Sequence, residues 1–191
     1  PVPSLRRGFS APVRLASDLG GPELAFRLAH DSDPVARWDA GQELAVRAMM
    51  AEADSRPGWN SAELSDLLAD ALGRMLSDSD LDSGLGATML MIPDAAALAE
   101  HVSPIAVDRL ANAVVGLRMR LAEKLRGVLI DVHARTAPGN VETERDLSAA
   151  AMGRRALHNA VLRLLLVRRY AELIGIADRQ FRDAAGMTLR I

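Results

Sequence analysis

The sequence predicts an all-α fold, and three observations carry that expectation. Only 3% of the 191 residues are aromatic while 49% are hydrophobic, with Ala and Leu abundant, a composition that favours helices over sheets. The longest apolar pattern, from Pro104 to His133, places Leu110, Val114, Leu117, Leu121, Leu125, Val128 and Val132 in steps of three and four. Such steps put one continuous stripe on a single helix face. Finally, Asp-Pro, Asn-Ser and Pro-Gly pairs stand where helices start and stop.

Taken in order, residues 1–17 are rich in proline and serine, with Val13–Ser17 the best strand candidate. Gly20-Gly21 make a turn. Residues 22–30 are ambiguous: Leu24, Phe26 and Leu28 alternate like a strand, but Pro22, Glu23 and the Leu24/Leu28 pair favour a short helix. Asp31-Ser-Asp33-Pro34 opens a helix over 34–53 that turns Val35, Trp38, Leu44 and Met49 to a core. After Pro57-Gly58, Asn60-Ser61 start a helix through Leu64, Leu67, Leu68, Ala71, Leu72 and Met75. Asp78 and Asp80 mark a loop before a short helix over 81–91, and Asp94 caps another over 95–102.

The long helix follows, with Ser103 as N-cap and Pro104 in the first turn, where no internal N–H partner is lost. At 1.5 Å per residue it would measure roughly 40 Å, so neighbours should pack along it. Thr136–Asn140 break the pattern. A helix from 143–146 runs through Leu157, Val161 and Leu164, and residues 161–167, apolar nearly all round apart from Arg163, read as buried on several sides. A final helix over 169–185 ends at Gly186. Short connections imply antiparallel neighbours. No fixed repeat period is visible, which argues against a consensus tetratricopeptide or ankyrin array and leaves an irregular superhelix open.

Composition narrows function. Zero cysteines exclude disulfides and thiolate metal sites and fit a reducing compartment, so the chain is expected to be cytoplasmic. A net charge of −2 gives no global reason to bind nucleic acid or an anionic membrane, and no apolar run reaches the ~18 residues that span a bilayer. The N-terminus has arginines but no apolar segment of a signal peptide behind them. With no initiator Met, the chain is expected to be an excised piece of a longer one.

Candidate chemistry is sparse. His30, His101, His133 and His158 lie far apart in sequence, whereas a catalytic zinc helix needs two imidazoles one turn apart, as in H-E-x-x-H. Each is expected on the surface or in packing, unless folding gathers distant ligands. Ser10 lacks the G-x-S-x-G context of a nucleophile elbow. Gly84-Leu-Gly86 and Gly20-Gly21 lack a phosphate loop's lysine. Asp78, Asp80 and Asp82 are spaced like the start of a calcium loop, but Ser83 replaces its glycine and no closing glutamate follows. Capping is the expected role. Arg154, Arg155, Arg163, Arg168 and Arg169 could touch phosphates, but Asp146, Glu172 and Asp178 offset them and no aromatics interleave. Trp38 and Trp59 are expected to anchor a core or a domain interface. The residues alone describe a helical domain with no visible active site.

Three strings add a resemblance. Pro3–Val13, with its Phe9-Ser-Ala-Pro-Val13, resembles the end of the β-sandwich domain of bacterial aminopeptidase N. Asp31–Gln42, with Arg37-Trp-Asp-Ala40 and Gln42, is similar to the opening of that family's C-terminal helical domain. Arg155-Ala-Leu-His-Asn159, Gln180-Phe181 and Met187-Thr188 resemble its pattern near the other end. The resemblance implies a boundary near residue 17, between the tail of a β-sandwich domain or a linker strand and a helical domain over 18–191. It also implies an irregular right-handed superhelix of antiparallel helices after a short extended segment. Leu189-Arg-Ile191 departs from the family's usual continuation through several more helices, so the domain is expected to be truncated, with apolar surface left on its last helices.

The family implies a zinc exopeptidase that removes N-terminal residues from peptides. Its zinc-binding HExxH string and its GAMEN motif do not occur here, so no catalytic, cofactor-binding or metal residue is carried over. Zinc would belong to the parent's catalytic domain, and the partners would be the remaining domains and, in the full-length enzyme, peptide substrates. Nucleic acid and membrane are not expected. The role expected is a non-catalytic lid or scaffold that gates the active site. The rival is a free-standing helical-repeat module that binds a peptide or protein.

Overall fold

The computed structural model describes residues 2–4, 18–54, 58–103, 106–137, 146–184 and 187–190. Every α-helix or strand element among them is an α-helix: α1 Gly21–His30, α2 Pro34–Asp54, α3 Ser61–Leu76, α4 Ser83–Met89, α5 Ala95–Ala99, α6 Val107–Lys124, α7 Arg126–Arg135, α8 Ala149–Leu165 and α9 Ala171–Asp183. Short 3₁₀ turns cover Leu166–Arg168 and Met187–Leu189. The strand candidate Val13–Ser17 and the Phe9–Val13 string lie outside the described residues.

Local signals explain most boundaries. The ambiguous 22–30 segment is helix. Asp33 Oδ1 accepts the Ala36 N–H at 2.9 Å, Asn60 Oδ1 accepts from Ala62 and Glu63, and Asp82, Asp94 and Ser148 cap α4, α5 and α8 in the same way. Several ends shift. α4 starts at Ser83 rather than Leu81 because Asp82 is its cap, and α5 stops at Ala99. α8 begins after Ser148, not at 143–146. α9 ends at Asp183, two residues before the expected stop.

The long helix is the main correction. It begins at Val107, so Ser103 is not its cap, and it divides at Leu125, whose φ of −92° and ψ of 2° interrupt α-helical geometry. Hydrogen bonds from Leu125 N to Leu121 O and from Leu129 N to Leu125 O continue across the break. The buried stripe runs on past it: Leu110, Val114, Leu117, Leu121 and Leu125 are core residues, then Leu129 and Val132, with Val128 only partly covered. Gly127, a poor helix former, stands just beyond the break.

The chain forms two compact units. The first comprises residues 1–75 and 92–120, the second 76–91 and 121–191. The first has an alanine-rich core on α2, where Ala36, Ala40, Leu44, Ala48 and Met49 are buried. Small side chains let helices approach: a Cβ on Gly41 would stand 3.2 Å from Leu28 of α1. The expectation for Val35 and Trp38 fails, since Val35 is half-covered and Trp38 is 39% exposed. Arginines tie the ends together. Arg37 Nε donates to Leu28 O at 2.9 Å, Arg47 Nη1 to Leu19 O at 2.6 Å and Arg118 Nη2 to Ile92 O at 3.4 Å.

In the second unit α8 is central, with Val161, Leu162, Leu164 and Leu165 buried as its all-round apolar stretch predicts. Its Gly153 lies against α4 so closely that a Cβ there would meet Gly84 N at 2.8 Å. Arg135 donates to Leu76 O, and Arg168 pairs with Glu123.

Candidate functional site

α7 ends in a turn where Val132 O accepts the Thr136 N–H at 3.0 Å and the last carbonyls take further donors from side chains. Two side chains supply donors. Thr136 Oγ1 donates to Val132 O at 2.7 Å, and His158 Nδ1, from the middle of α8, donates to His133 O at 3.1 Å and lies 3.2 Å from Thr136 Oγ1. The His158 ring stacks on His133 with centroids 3.9 Å apart and planes inclined by 23°. Folding therefore gathers two histidines that sequence separates by 25 residues.

The cluster continues to α9. Gln180 Nε2 donates to Asn159 Oδ1 at 3.1 Å and to Leu189 O at 3.0 Å. Its Oε1 then faces His133 Nε2 at 3.4 Å, which makes that nitrogen the donor. Asn159 Nδ2 donates to Thr188 O at 2.7 Å. The result is one polar chain from α7 through α8 and α9 to the 187–189 turn.

Its electrostatics favour neutral rings. His158 is 3% exposed. Burial, then the charge of His133, lower its pKa to about 4, with the His133 carbonyl and Gln180 opposing. Burial also lowers His133, and its Gln180 contact partly offsets this. The Thr136–His158 pair is not a nucleophile with its base, because Nδ1 is already committed as a donor and the hydroxyl hydrogen goes to Val132 O. Nor do the residues fit a zinc ion. Rings stacked with nearly parallel planes do not converge their in-plane lone pairs on one point, and among the described residues no group of three or more His, Cys, Asp or Glu could hold a metal. What the arrangement does is fix three helix segments in register.

The other candidates are dispersed. His30 is exposed and lies 4.9 Å from the Phe26 ring, and His101 is exposed. Asp78 accepts the Asp80 N–H and Asp82 caps α4, as capping predicts. Arg155 is buried with Nη2 on Asp146 O, Arg168 is paired with Glu123, Arg154 is half-buried, and Arg163 and Arg169 are exposed. Trp59 is 36% exposed under the Arg47 guanidinium. Ser10 lies outside the described residues. Sequence reasoning missed Thr136 and the His133–His158 contact. The Asn159, Gln180 and Thr188 strings already pointed to the place.

No helix among the described residues is long and apolar enough to cross a membrane. Comparison with known proteins yields one consistent result. Residues 22–191 match the family described as "Domain of unknown function (DUF3458_C) ARM repeats". Aminopeptidase N of Caulobacter vibrioides is 34% identical over 191 residues, and that of Escherichia coli 29%, each covering 98% of this chain and 21% of the relative. Aminopeptidase N of Haemophilus influenzae is 26% identical over 153 residues, covering 80% of the chain and 18% of the relative. This chain thus spans about a fifth of the length of the curated relatives it matches. The crystal structure of Legionella pneumophila aminopeptidase A in complex with aspartic acid superposes with a TM-score of 0.79 at 24% identity, over 99% of this chain and 22% of that one, which establishes the fold. The chain belongs to the DUF3458_C ARM-repeat family, and what it is similar to in aminopeptidase N is a C-terminal helical domain.

Proposed function

We propose that this chain is a non-catalytic helical lid or scaffold of a zinc aminopeptidase that removes N-terminal residues from peptides. The active site it gates would lie in other domains of the parent polypeptide, which are its proposed partners and carry the zinc. The observation that carries this reading is the alignment of nearly the whole chain with about a fifth of aminopeptidase N. A rigid helical wall over the catalytic cleft would admit small peptides and unfolded ends, and would strengthen electrostatics at the metal by excluding bulk water. On this reading residues 1–17 are the end of the preceding domain or a linker, residues 18–191 part of the helical domain, and the location is the cytoplasm.

The test has two arms. The 191-residue chain, given an aminoacyl chromogenic substrate and zinc, should show no turnover; chelator-sensitive hydrolysis would overturn the non-catalytic part. In the parent enzyme, deleting residues 18–191 should change the ratio of kcat/KM between short and long peptides. An unchanged ratio would refute the gating role. A free-standing peptide-binding module is the second reading, favoured by the exposed Ile174, Phe181 and Met187, and a start codon directly before Pro1 in the gene would support it.

A further inference from the structure

The cluster on α7, α8 and α9 has a property that the proposed function does not use. In its neutral form the ring nitrogens, amides and backbone carbonyls described above are mutually satisfied. His158 Nδ1 holds His133 O, His133 Nε2 faces Gln180 Oε1, and Gln180 reaches both Asn159 and the Leu189 carbonyl. A second hydrogen on His158 would create a buried cation stacked 3.9 Å from the other imidazole, and protons on both rings would set like charges face to face out of water.

We infer that the stacked His133–His158 pair is an acid-operated latch, closed when both rings are neutral and releasing α9 with the 187–190 segment when His158 takes a proton. The surrounding charges do not supply a counter-ion. On α7, Asp131 and Arg135 are exposed, and Arg135 is engaged with Leu76 O. On α8 the neighbouring side chains one turn away are Arg154 and Arg155, both cationic, with Arg155 held by Asp146 O. On α9 Arg179 and Asp183 are exposed, and beyond it Arg190 bonds Ala184 O. α4, packed on α8, brings no titratable side chain.

α9 is the segment that would move, because its hold on the unit is narrow. Leu173 is its one buried side chain among the described helix residues, while Ile174 and Phe181 are exposed. Much of its remaining attachment is Gln180, together with the Arg126–Glu172 pair at 2.7 Å on the surface. The sign follows from linkage. His158 titrates lower in the fold, about 4, than its ordinary 6.5, so the unfolded or released state binds more protons between those values. The latch is fully closed above about pH 6.5 and opens as pH falls towards 4.

The experiment is amide hydrogen exchange of the 191-residue chain at about pH 7.5 and about pH 4.5, with intrinsic rates divided out, alongside an NMR titration of the four histidines. Residues 171–184 and 187–190 should lose about tenfold more protection on acidification than residues 21–54, and the loss should track the His158 titration. His158→Phe, which cannot titrate, should abolish the difference. His133→Gln, which keeps an amide donor for Gln180 but removes the neighbouring charge, should bring His158 in the closed state nearer its ordinary value and so move the opening to lower pH. Uniform loss of protection along the chain, or an opening unchanged in His133→Gln, would overturn the latch. Should His158→Phe fail to fold by circular dichroism, the wild-type titration and His133→Gln decide the matter.

Discussion

The two units solve the same problem with different chemistry. Each must satisfy carbonyls that helix ends and connections leave open, and hold short helices that could not persist alone. The first unit does this with arginines: Arg37, Arg47 and Arg118 donate to Leu28, Leu19 and Ile92 carbonyls, and guanidinium groups stay charged at any ordinary pH. The second also uses arginines, at Arg135 and Arg155, but sets a neutral cluster of two imidazoles and two amides between α7, α8 and α9. A permanent cation on a carbonyl is insensitive to acid. A buried imidazole is not. The difference teaches that one chain can hold carbonyls with groups of fixed charge in one unit and with buried imidazoles in the other.

The largest effect that would test the comparison comes from α6, whose buried leucines belong to different units. Leu117 falls in the first and Leu121 in the second, and both are core residues. Truncating either to Ala should destabilise by about 2–5 kcal/mol, as buried leucines do. In urea titrations followed by hydrogen exchange, Leu117→Ala should weaken α1–α3 first and Leu121→Ala α7–α9 first. Losses under about half a kcal/mol would mean that the stripe is not load-carrying core.

Next come the glycines. A methyl at Gly153 would meet the Gly84 backbone at 2.8 Å, and backbone cannot step aside as a side chain can. Gly153→Ala should therefore cost about 1–3 kcal/mol through overpacking of α4 on α8. Gly116 of α6 has nothing within 4 Å of an added Cβ, so Gly116→Ala should gain about 0.5–1 kcal/mol from helix propensity alone. Thermal melts of the two variants should move in opposite directions. A shift of the same sign in both would remove the close α4–α8 approach from the account of the second unit.

Much of the first unit was legible before any coordinates. Asp33, Asn60 and Asp94 are caps whose chemistry acts over three residues, and the Leu64–Met75 spacing encodes its own helix. The break at Leu125 was not legible, because hydrogen bonding and the buried stripe continue across it and only the backbone angles betray it. Trp38 misled for a related reason: a large apolar residue at helical spacing reads as core, but α2 packs through alanines too small to weigh in such a pattern. The His133–His158 contact was illegible because its partners lie on separate helices, and no local rule links them. The Asn159, Gln180 and Met187-Thr188 strings did lead there, and their resemblance now has a physical reason, since Asn159 and Gln180 tie α8 and α9 to the Thr188 and Leu189 carbonyls.

The smallest effect sharpens the contrast between the units. Arg120 Nη2 meets Glu52 Oε2 at 2.9 Å and its Nη1 meets Ser61 Oγ at 3.0 Å, linking α6 to α2 and α3 within the first unit. Hydrogen bonds to its carboxylate, first from Arg120 and then from Ser61, hold Glu52 below its ordinary pKa. Both side chains are substantially exposed, so water screens the pair and Arg120→Ala should cost at most about 1 kcal/mol. The sign is that of a depressed carboxylate: the contribution is complete above the ordinary value of 4.5 and is lost as pH falls through the lower folded value. Arg120→Ala and wild type should therefore differ near neutrality and converge only below about pH 4. That is a lower window than the fall from 6.5 towards 4 expected around His158. Denaturant midpoints of the two proteins, taken in steps from about pH 7 to about pH 3, would separate these responses. If the gap between them closed already near pH 6, the acid response would not divide between the units in this way.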